Sequence, residues 1–226
     1  MDPSALIAVL MWPVLIGILV LLWWLRRKRT AQRRAALRTW AQARGWTYVG
    51  SAPELTRGLG RRPFGRGHSR SSTEAVRGTY EGHQAASWKY TYKRRRVSRG
   101  KRRTQRYDQH VISLWMPGRL PSVELRPEDA FTGTDTEFES AAFNDAWNVR
   151  GEDARTTSDI VHPRMMERLM RPDLKDANIL IEDDRIILWR RGLPDPAAID
   201  AALPVLLDLI GLIPRFVWDD ARRGSG

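Results

Sequence analysis

The chain has 226 residues, with 38 lysines and arginines against 26 aspartates and glutamates, so its formal net charge is +12. Hydrophobic residues make up 42% of the sequence, which is enough for a packed core and excludes a disordered tail. The absence of cysteine excludes disulfides, thiolate metal sites and thiol nucleophiles. The length suits one domain with additions.

The positive charge is concentrated in the first half of the chain. Residues 1–110 hold 24 basic and 5 acidic side chains, whereas residues 111–226 hold 14 and 21. This asymmetry indicates a polyanionic neighbour for the first half, and membrane lipid and nucleic acid are the two candidates.

The stretch from Ala5 to Leu25 contains no ionisable side chain and predicts a transmembrane helix. As a helix it would be about 31 Å long, which matches a bilayer core of about 30 Å. The alternative is a cleaved secretory signal, which fits poorly because the leader carries no positive charge and the run ends in bulky residues. The residues that mark this predicted anchor are Ala5, Leu15, Trp23, Trp24 and Leu25.

Four basic residues follow the predicted anchor directly: Arg26, Arg27, Lys28 and Arg29. The N-terminal side offers only Asp2, so the positive-inside bias predicts residues 1–4 outside the cell membrane and the remaining chain in the cytoplasm. The same cations would face the anionic inner leaflet, where each contributes on the order of 1 kcal/mol. Topology alone explains the cluster, so lipid recognition is a secondary expectation.

A basic juxtamembrane helix is expected over residues 26–44. Thr30 is the predicted N-cap of its main part, and Gly45 occupies the position that ends a helix. Beyond it, residues 45–221 are expected to form a single domain and residues 222–226 a tail, because no linker divides them.

Apolar alternation in the domain predicts antiparallel strands, separated by an irregular loop over residues 57–72. The predicted extended segments are residues 46–49, a hairpin of 75–80 with 85–92, strands at 106–116 and 120–125 interrupted by Pro117-Gly118, and a hairpin over 178–190 with its turn at Asp183-Asp184.

Short helices are predicted over residues 157–160 and 163–171, and a longer one follows the cap residue Asp195 and kinks near Pro204. Helices segregated from antiparallel strands are typical of the α+β class. We therefore expect a transmembrane helix followed by a cytosolic antiparallel-sheet domain with short helices packed on it.

The segment Lys93 to Arg106 contains nine basic residues in fourteen and no acid. We expect a mobile loop here, because such a run repels itself. A solvated loop, a contact with the anionic leaflet and nucleic-acid binding remain open, and a tether beside the membrane favours lipid over nucleic acid. The candidate polyanion contacts are Lys93, Arg94, Arg95, Arg96, Arg99, Lys101, Arg102 and Arg103.

No sequence motif indicates a catalytic activity, since the zinc-protease, nucleophile-elbow and phosphate-loop patterns are absent. Among the four histidines, His110 shares strand parity with apolar neighbours and is expected in the core. His162 stands before Pro163 at a helix junction and would be the first candidate for a catalytic base. The sequence therefore nominates no catalytic residue, metal site or cofactor.

Several stretches, covering most of residues 35–218, carry a resemblance. They are Gly78 to His83 with Tyr90 and Tyr92, Phe143-Asn144 through Asn148-Val149 to His162-Pro163-Arg164, Trp189-Arg190, and Ile213 to Phe216. Together they resemble a family of single-pass membrane proteins of unknown function that is common in actinobacteria. The resemblance implies an N-terminal anchor and one cytosolic domain, and it brings no activity and no catalytic residue.

These observations predict a membrane-anchored cytosolic binding or scaffold module. Its expected partners are the bilayer, anionic headgroups and an unidentified protein rather than nucleic acid. The alternatives are a membrane-tethered enzyme of unrecognised type and, less favoured, a nucleic-acid-binding protein. A cleft that gathers His162, acids and arginine would favour the enzyme, whereas an uncovered apolar or basic patch would favour the module.

Overall fold

A computed structural model describes the backbone of residues 3–98, 101–127 and 136–224. Side chains are described from residue 15 onwards within these ranges, except at residues 98, 101 and 224. The predicted contact residue Arg99 lies outside the described residues, as do the side chains of Ala5 and Lys101.

The elements are six helices and six strands within the described ranges. The helices are α1 (Pro3–Ala43), α2 (Ala141–Ala146), α3 (Ala154–Ile160), α4 (Pro163–Leu169), α5 (Pro196–Leu212) and α6 (Arg215–Gly224). The strands are β1 (Thr47–Ser51), β2 (His68–Tyr80), β3 (His83–Ser98), β4 (Lys101–Pro127), β5 (Trp147–Gly151) and β6 (Asn178–Arg191).

Helix α1 runs without a break from the N-terminal region into the domain, so the prediction that a new helix begins at Thr30 was wrong. The Thr30 hydroxyl donates to the Arg26 carbonyl at 2.9 Å, inside the helix. The predicted end is confirmed, because Gly45 has a φ of 67° and the Trp46 amide donates to the Ala41 carbonyl at 2.8 Å. Within the described part of the chain, no single helix is both long enough and apolar enough to qualify as a membrane span.

The strands form one antiparallel sheet, which confirms the α+β class. The order is β1-β2-β3-β4-β5, and β6 pairs with β4. The first half of β4 lies between β3 and β6, and its second half lies between β5 and β6. The sheet curls strongly, since the Asn178 side-chain amide at one end of β6 donates to the Trp189 carbonyl near the other at 3.2 Å.

The predicted hairpin over residues 178–190 was wrong, because both of its arms belong to the single strand β6. The pairing with β4 continues on either side of Asp183, which has a φ of 57° at an irregularity opposite Leu120. Aspartate tolerates this left-handed conformation, so an acidic pair suits a bulge as well as a turn. Pro117-Gly118 likewise lies within β4 at this irregularity and does not end the strand.

The expected mobile loop at residues 93–106 was also wrong where the structure describes it. The pairs Lys93 with Arg106, Val97 with Arg102 and Ser98 with Lys101 extend the β3–β4 hairpin. Strand pairing is compatible with this many basic residues, because successive side chains point to opposite faces of the hairpin. Water screens the cations on both faces. The loop predicted over residues 57–72 is shorter than expected, since β2 begins at His68.

The sheet is covered on both faces. On one face, the C-terminal part of α1 and helix α5 pack through Leu37 and Leu206 against Leu114 and Ile181. On the other face, the segment of residues 52–67 packs against the sheet around Phe64. The apolar runs of β6 contribute to both cores.

The predicted cap at Asp195 and the two short helices are confirmed in the described residues. The Asp195 carboxylate accepts from the Ala198 amide at 3.1 Å and begins α5, which contains Pro204. Helices α3 and α4 occupy the two positions expected of short helices.

Candidate membrane-contact surface and cationic pocket

The N-terminal part of α1 exposes apolar side chains on all of its sides. Leu15 is 49% exposed, Trp23 59% and Trp24 50%, while Leu25 is half-buried. Every residue from 18 to 24 is apolar and exposed, and so wide a surface cannot be one stripe of an amphipathic helix. Water-exposed apolar surface of this extent is typical of a contact site.

The predicted topology residues Arg26, Arg27, Lys28 and Arg29 are all exposed and follow this apolar surface. Arg27 lies 5.2 Å from the ring centre of Trp23, and Lys28 lies 5.0 Å from that of Trp24. Such cation–π pairs place charged ends and aromatic rings together, as at the boundary between water and lipid.

Glu74 joins α1 to the sheet. Its carboxylate, which is 3% exposed, accepts contacts from Arg33 at 2.7 Å, Lys89 at 3.1 Å and Arg34 at 3.3 Å. Burial alone would raise the pKa of Glu74, but the hydrogen bond and charge of Lys89 and the charges of both arginines lower it below its ordinary value. Two cations of α1 are therefore engaged by the domain.

Strand β3 runs towards the N-terminal part of α1. Just beyond the C-terminal end of α1, the Trp46 indole donates to the Thr79 carbonyl at 3.1 Å, and Thr79 pairs with Gln84 near the start of β3. Nearer the N-terminus of α1, Arg33 contacts Glu74, and the β3 residue that contacts the same carboxylate is Lys89. Residues of β3 beyond Lys89 therefore point towards the exposed apolar part of α1.

The β3–β4 hairpin is long enough to reach the level of the Trp23-Trp24 pair. From the Glu74 contact, the strand to Val97 extends about 26 Å. The helix from Arg33 back to Trp24 extends about 13 Å, so a strand inclined by up to about 60° to the helix covers at least that height. Val97 is 70% exposed among cations at this tip.

Alternation divides the candidate polyanion contacts between two faces of the hairpin. Lys93, Arg95 and Val97 share the face of Lys89, which is the α1 side. Arg94 and Arg96 point to the opposite face, where they line a cavity. Arg102 and Arg103 pair with Val97 and Arg96 on the second strand.

This cavity, which we call the cationic pocket, has a volume of about 750 Å³ and lies where the segment of residues 57–67 meets β3, β4, β5 and β6. Seven arginines and one aspartate are among its lining residues. They are Arg62, Pro63, Arg66, Tyr92, Arg94, Arg96, Gln109, Arg126, Arg150, Asp176, Asn178, Trp189 and Arg191.

The segment that carries Arg62 and Arg66 is fixed by the apolar core beneath it. The Phe64 carbonyl accepts from the Tyr90 hydroxyl at 3.0 Å and from Arg70 at 2.8 Å. Gly67 has a φ of 75°, and a Cβ there would lie 2.4 Å from the Lys93 carbonyl oxygen. A glycine is therefore needed for the segment to approach β3 so closely.

Electrostatic repulsion is concentrated in the cationic pocket. Burial lowers the pKa of Arg62, and the charges of Arg126 and Arg66 lower it further. Burial and the charge of Arg94 have the same effect on the pKa of Arg66, against a smaller opposing effect of Glu124. Among the described residues that line the pocket, cations therefore outnumber carboxylates.

The described histidines have structural partners or lie exposed. His110 is buried, as predicted, and forms a hydrogen bond of 2.8 Å with the Ser87 hydroxyl. His83 donates to the Trp115 carbonyl at 2.8 Å, and His68 is exposed.

His162 lines a separate cavity of about 520 Å³ with Asp159 and Arg164, which is the combination that the sequence analysis associated with an enzyme. Its Nε2 atom donates to the Leu212 carbonyl at 2.9 Å, which ties the start of α4 to the end of α5. Among the described residues, no group of three histidine or acidic side chains is arranged to hold a metal ion.

Sequence reasoning found Arg94 and Arg96 as candidate polyanion contacts but missed the other arginines of the cationic pocket. Arg62, Arg66, Arg126, Arg150 and Arg191 come from separate segments that only the curled sheet brings together. The sole signal in the sequence is the excess of arginine in the chain.

The sequence matches no protein-family model and no curated protein. The structure is similar to the crystal structure of the mycobacterial trehalose monomycolate transport factor A, TtfA. The TM-score is 0.58, and the match covers 80% of this chain and 96% of that chain at 15% sequence identity. At this identity the similarity shows that the two chains share a fold.

Proposed function

We propose that this chain is a membrane-anchored binding module whose domain lies against the anionic inner leaflet of the cell membrane. Helix α1 is the anchor, with the N-terminus outside and the domain in the cytoplasm. The β3–β4 hairpin tip is a second contact with the same leaflet. The observation that carries the proposal is the apolar surface on all sides of α1, followed directly by exposed cations.

Three further features support the second contact. The hairpin is long enough to reach the level of the aromatic pair of α1, its side chains are cationic, and Val97 presents an exposed apolar group. Cations near an anionic surface contribute on the order of 1 kcal/mol each, so the several cations of the tip act together with the anchor. The resemblance to single-pass membrane proteins agrees with the anchor.

Labelling at the hairpin tip tests the proposal. Because the chain lacks cysteine, Val97→Cys provides a unique site for an environment-sensitive fluorophore. We expect its emission to shift to shorter wavelength when the full chain is placed in nanodiscs rich in phosphatidylglycerol, compared with nanodiscs of phosphatidylcholine. The matched control is Gln84→Cys at the other end of β3, which should not respond.

An unchanged emission at position 97, or an equal shift at position 84, would contradict the second contact. The anchor is tested separately by extracting cell membranes at alkaline pH. The full chain should stay with the lipid, and a variant with Leu15, Leu19 and Leu22 changed to Asp should be released. Release of the unchanged chain would disprove the anchor.

A further inference from the structure

The cationic pocket lies on the face of the hairpin opposite α1, and the proposed membrane contact does not use it. Arg62, Arg66 and Arg94 form no ion pair with any described residue. Among the described residues, the acids at the pocket are Asp176, which lines it, and Glu124, which influences Arg62 and Arg66 and lies 3.9 Å from Arg126. Arginines gathered with so little compensation are stabilised when a multiply charged anion enters.

We propose that the cationic pocket binds a ligand with a phosphomonoester or pyrophosphate group, carried either by a lipid headgroup of the adjacent leaflet or by a soluble molecule. The guanidinium group matches this chemistry, because its planar set of N–H donors fits two phosphate oxygens at once. A doubly charged phosphate also gains more from several nearby cations than a singly charged phosphodiester does.

Aromatic rings form part of the pocket wall and favour a ligand with an uncharged body beside its phosphate. Tyr92 stacks on Tyr107 with ring centres 5.1 Å apart, and Trp189 lies on the neighbouring side. The volume of about 750 Å³ is within the range of small-molecule sites and exceeds the need of a bare phosphate ion.

The pocket is built before the ligand arrives. The hydrogen bonds to the Phe64 carbonyl and the close approach at Gly67 hold the segment that carries Arg62 and Arg66. Arg94 and Arg191 project from paired strands. Donors held on rigid elements lose little conformational entropy on binding, which strengthens the affinity.

The experiment measures binding of inorganic pyrophosphate to the full chain in phosphatidylcholine nanodiscs by calorimetry. We expect saturable binding that weakens about tenfold or more in Arg62→Gln and in Arg94→Gln, because each removes charge-assisted hydrogen bonds. Two controls carry the same charge change outside the pocket: Arg57→Gln in the same segment, and Arg95→Gln on the other face of β3. Both should bind within about twofold of the unchanged chain.

Lipid and soluble sources are distinguished by adding phosphatidic acid, a phosphomonoester lipid, to the nanodiscs. Competition between phosphatidic acid and pyrophosphate, absent with phosphatidylglycerol, supports a headgroup ligand. Pyrophosphate binding without that competition supports a soluble ligand. No saturable binding, or equal loss in the pocket and control variants, would overturn the proposal, and matching thermal unfolding of all variants shows that none has misfolded.

Discussion

At the scale of single residues, the ion pairs of Glu74 fix the position of α1 relative to the sheet. Its carboxylate is buried and contacts Arg33, Arg34 and Lys89 from two other elements. We expect Glu74→Gln to reduce the free energy of unfolding by about 1–3 kcal/mol at pH 7, because it leaves the partly buried Arg33 and Lys89 without their anion. Urea unfolding of the full chain in detergent measures this loss.

The same carboxylate predicts a pH dependence. Since the folded-state pKa of Glu74 is below the ordinary value of 4.5, its stabilising effect is complete above that pH and is lost as pH falls through the lowered pKa. The difference between the unchanged chain and Glu74→Gln should therefore narrow in acid. Exposed Glu167→Gln on α4 is the control, and an equal effect of both substitutions would contradict the role of Glu74.

His110 predicts a second pH dependence in a higher range. Burial first, and then the charges of Arg190 and Arg33, lower the pKa of His110 from 6.5 to about 3. The folded protein thus favours the neutral ring, so its stabilising effect is complete above pH 6.5 and is lost as pH falls from 6.5 towards 3. Between pH 6 and 5, we expect stability to fall by up to about 1.4 kcal/mol per pH unit more than in His110→Gln.

The check is urea unfolding at closely spaced pH values, since Glu74 contributes only at lower pH. Exposed His68→Gln should keep the pH slope of the unchanged chain. A histidine that protonates near its ordinary pKa in the folded protein would give equal slopes in the unchanged chain and in His110→Gln, and that result would disprove the prediction.

At the scale of elements, the segment of residues 57–67 lines one side of the cationic pocket. Substitutions at two of its glycines, both in left-handed conformation, test whether its close approach to β3 shapes the pocket. Gly67→Ala adds a Cβ 2.4 Å from the Lys93 carbonyl oxygen, whereas Gly58→Ala meets no atom within 4 Å. Both substitutions carry backbone strain of about 1–2 kcal/mol. We expect Gly67→Ala to lower the free energy of unfolding in urea more than Gly58→Ala does. It should also weaken pyrophosphate binding, because the segment that carries Arg62 and Arg66 must move away from β3.

Gly58→Ala should lose stability without losing pyrophosphate affinity, since nothing obstructs its methyl group. Equal effects of the two alanines on affinity would show that the approach of the segment to β3 does not shape the cationic pocket.

Elements with local signals were predictable from the sequence, and those that depend on distant pairing were not. The β2–β3 turn and the end of α1 were found because Gly82 and Gly45 mark them locally. Strand β6 was mistaken for a hairpin because Asp183-Asp184 suits both a turn and a bulge, and only the partner strand β4 decides between them.

The two candidate surfaces differ in the same way. The apolar run and the basic residues 26–29 are contiguous in the sequence, so composition alone indicates a membrane contact. The cationic pocket takes arginines from five separate parts of the chain, and the curl of β4 and β6 decides which of them meet. The excess of arginine in the sequence predicts an anionic partner, but it does not predict where on the molecule that partner binds.

At the scale of the whole molecule, the proposed function makes α1 a spacer that would set the height of the domain above the membrane. It is continuous from the apolar segment to Ala43, and it is fixed to the domain by the Glu74 contacts and by the Trp40 indole, which donates to the Asp200 carboxylate at 3.1 Å. The proposed contact of the hairpin tip with the leaflet therefore requires a spacer of this length.

Lengthening the spacer tests this coupling. Seven helix-forming residues inserted after Thr30 add about 10 Å and nearly two full turns, so the domain keeps its orientation but rises from the membrane. We expect the emission shift at Val97→Cys in phosphatidylglycerol nanodiscs to be lost, while pyrophosphate binding and resistance to alkaline extraction stay unchanged. The same seven residues inserted after Arg223 are the control and should leave all three measurements as they were. A shift at position 97 that survives the longer spacer would show that the hairpin finds lipid without a fixed height, which would contradict the rigid two-point contact.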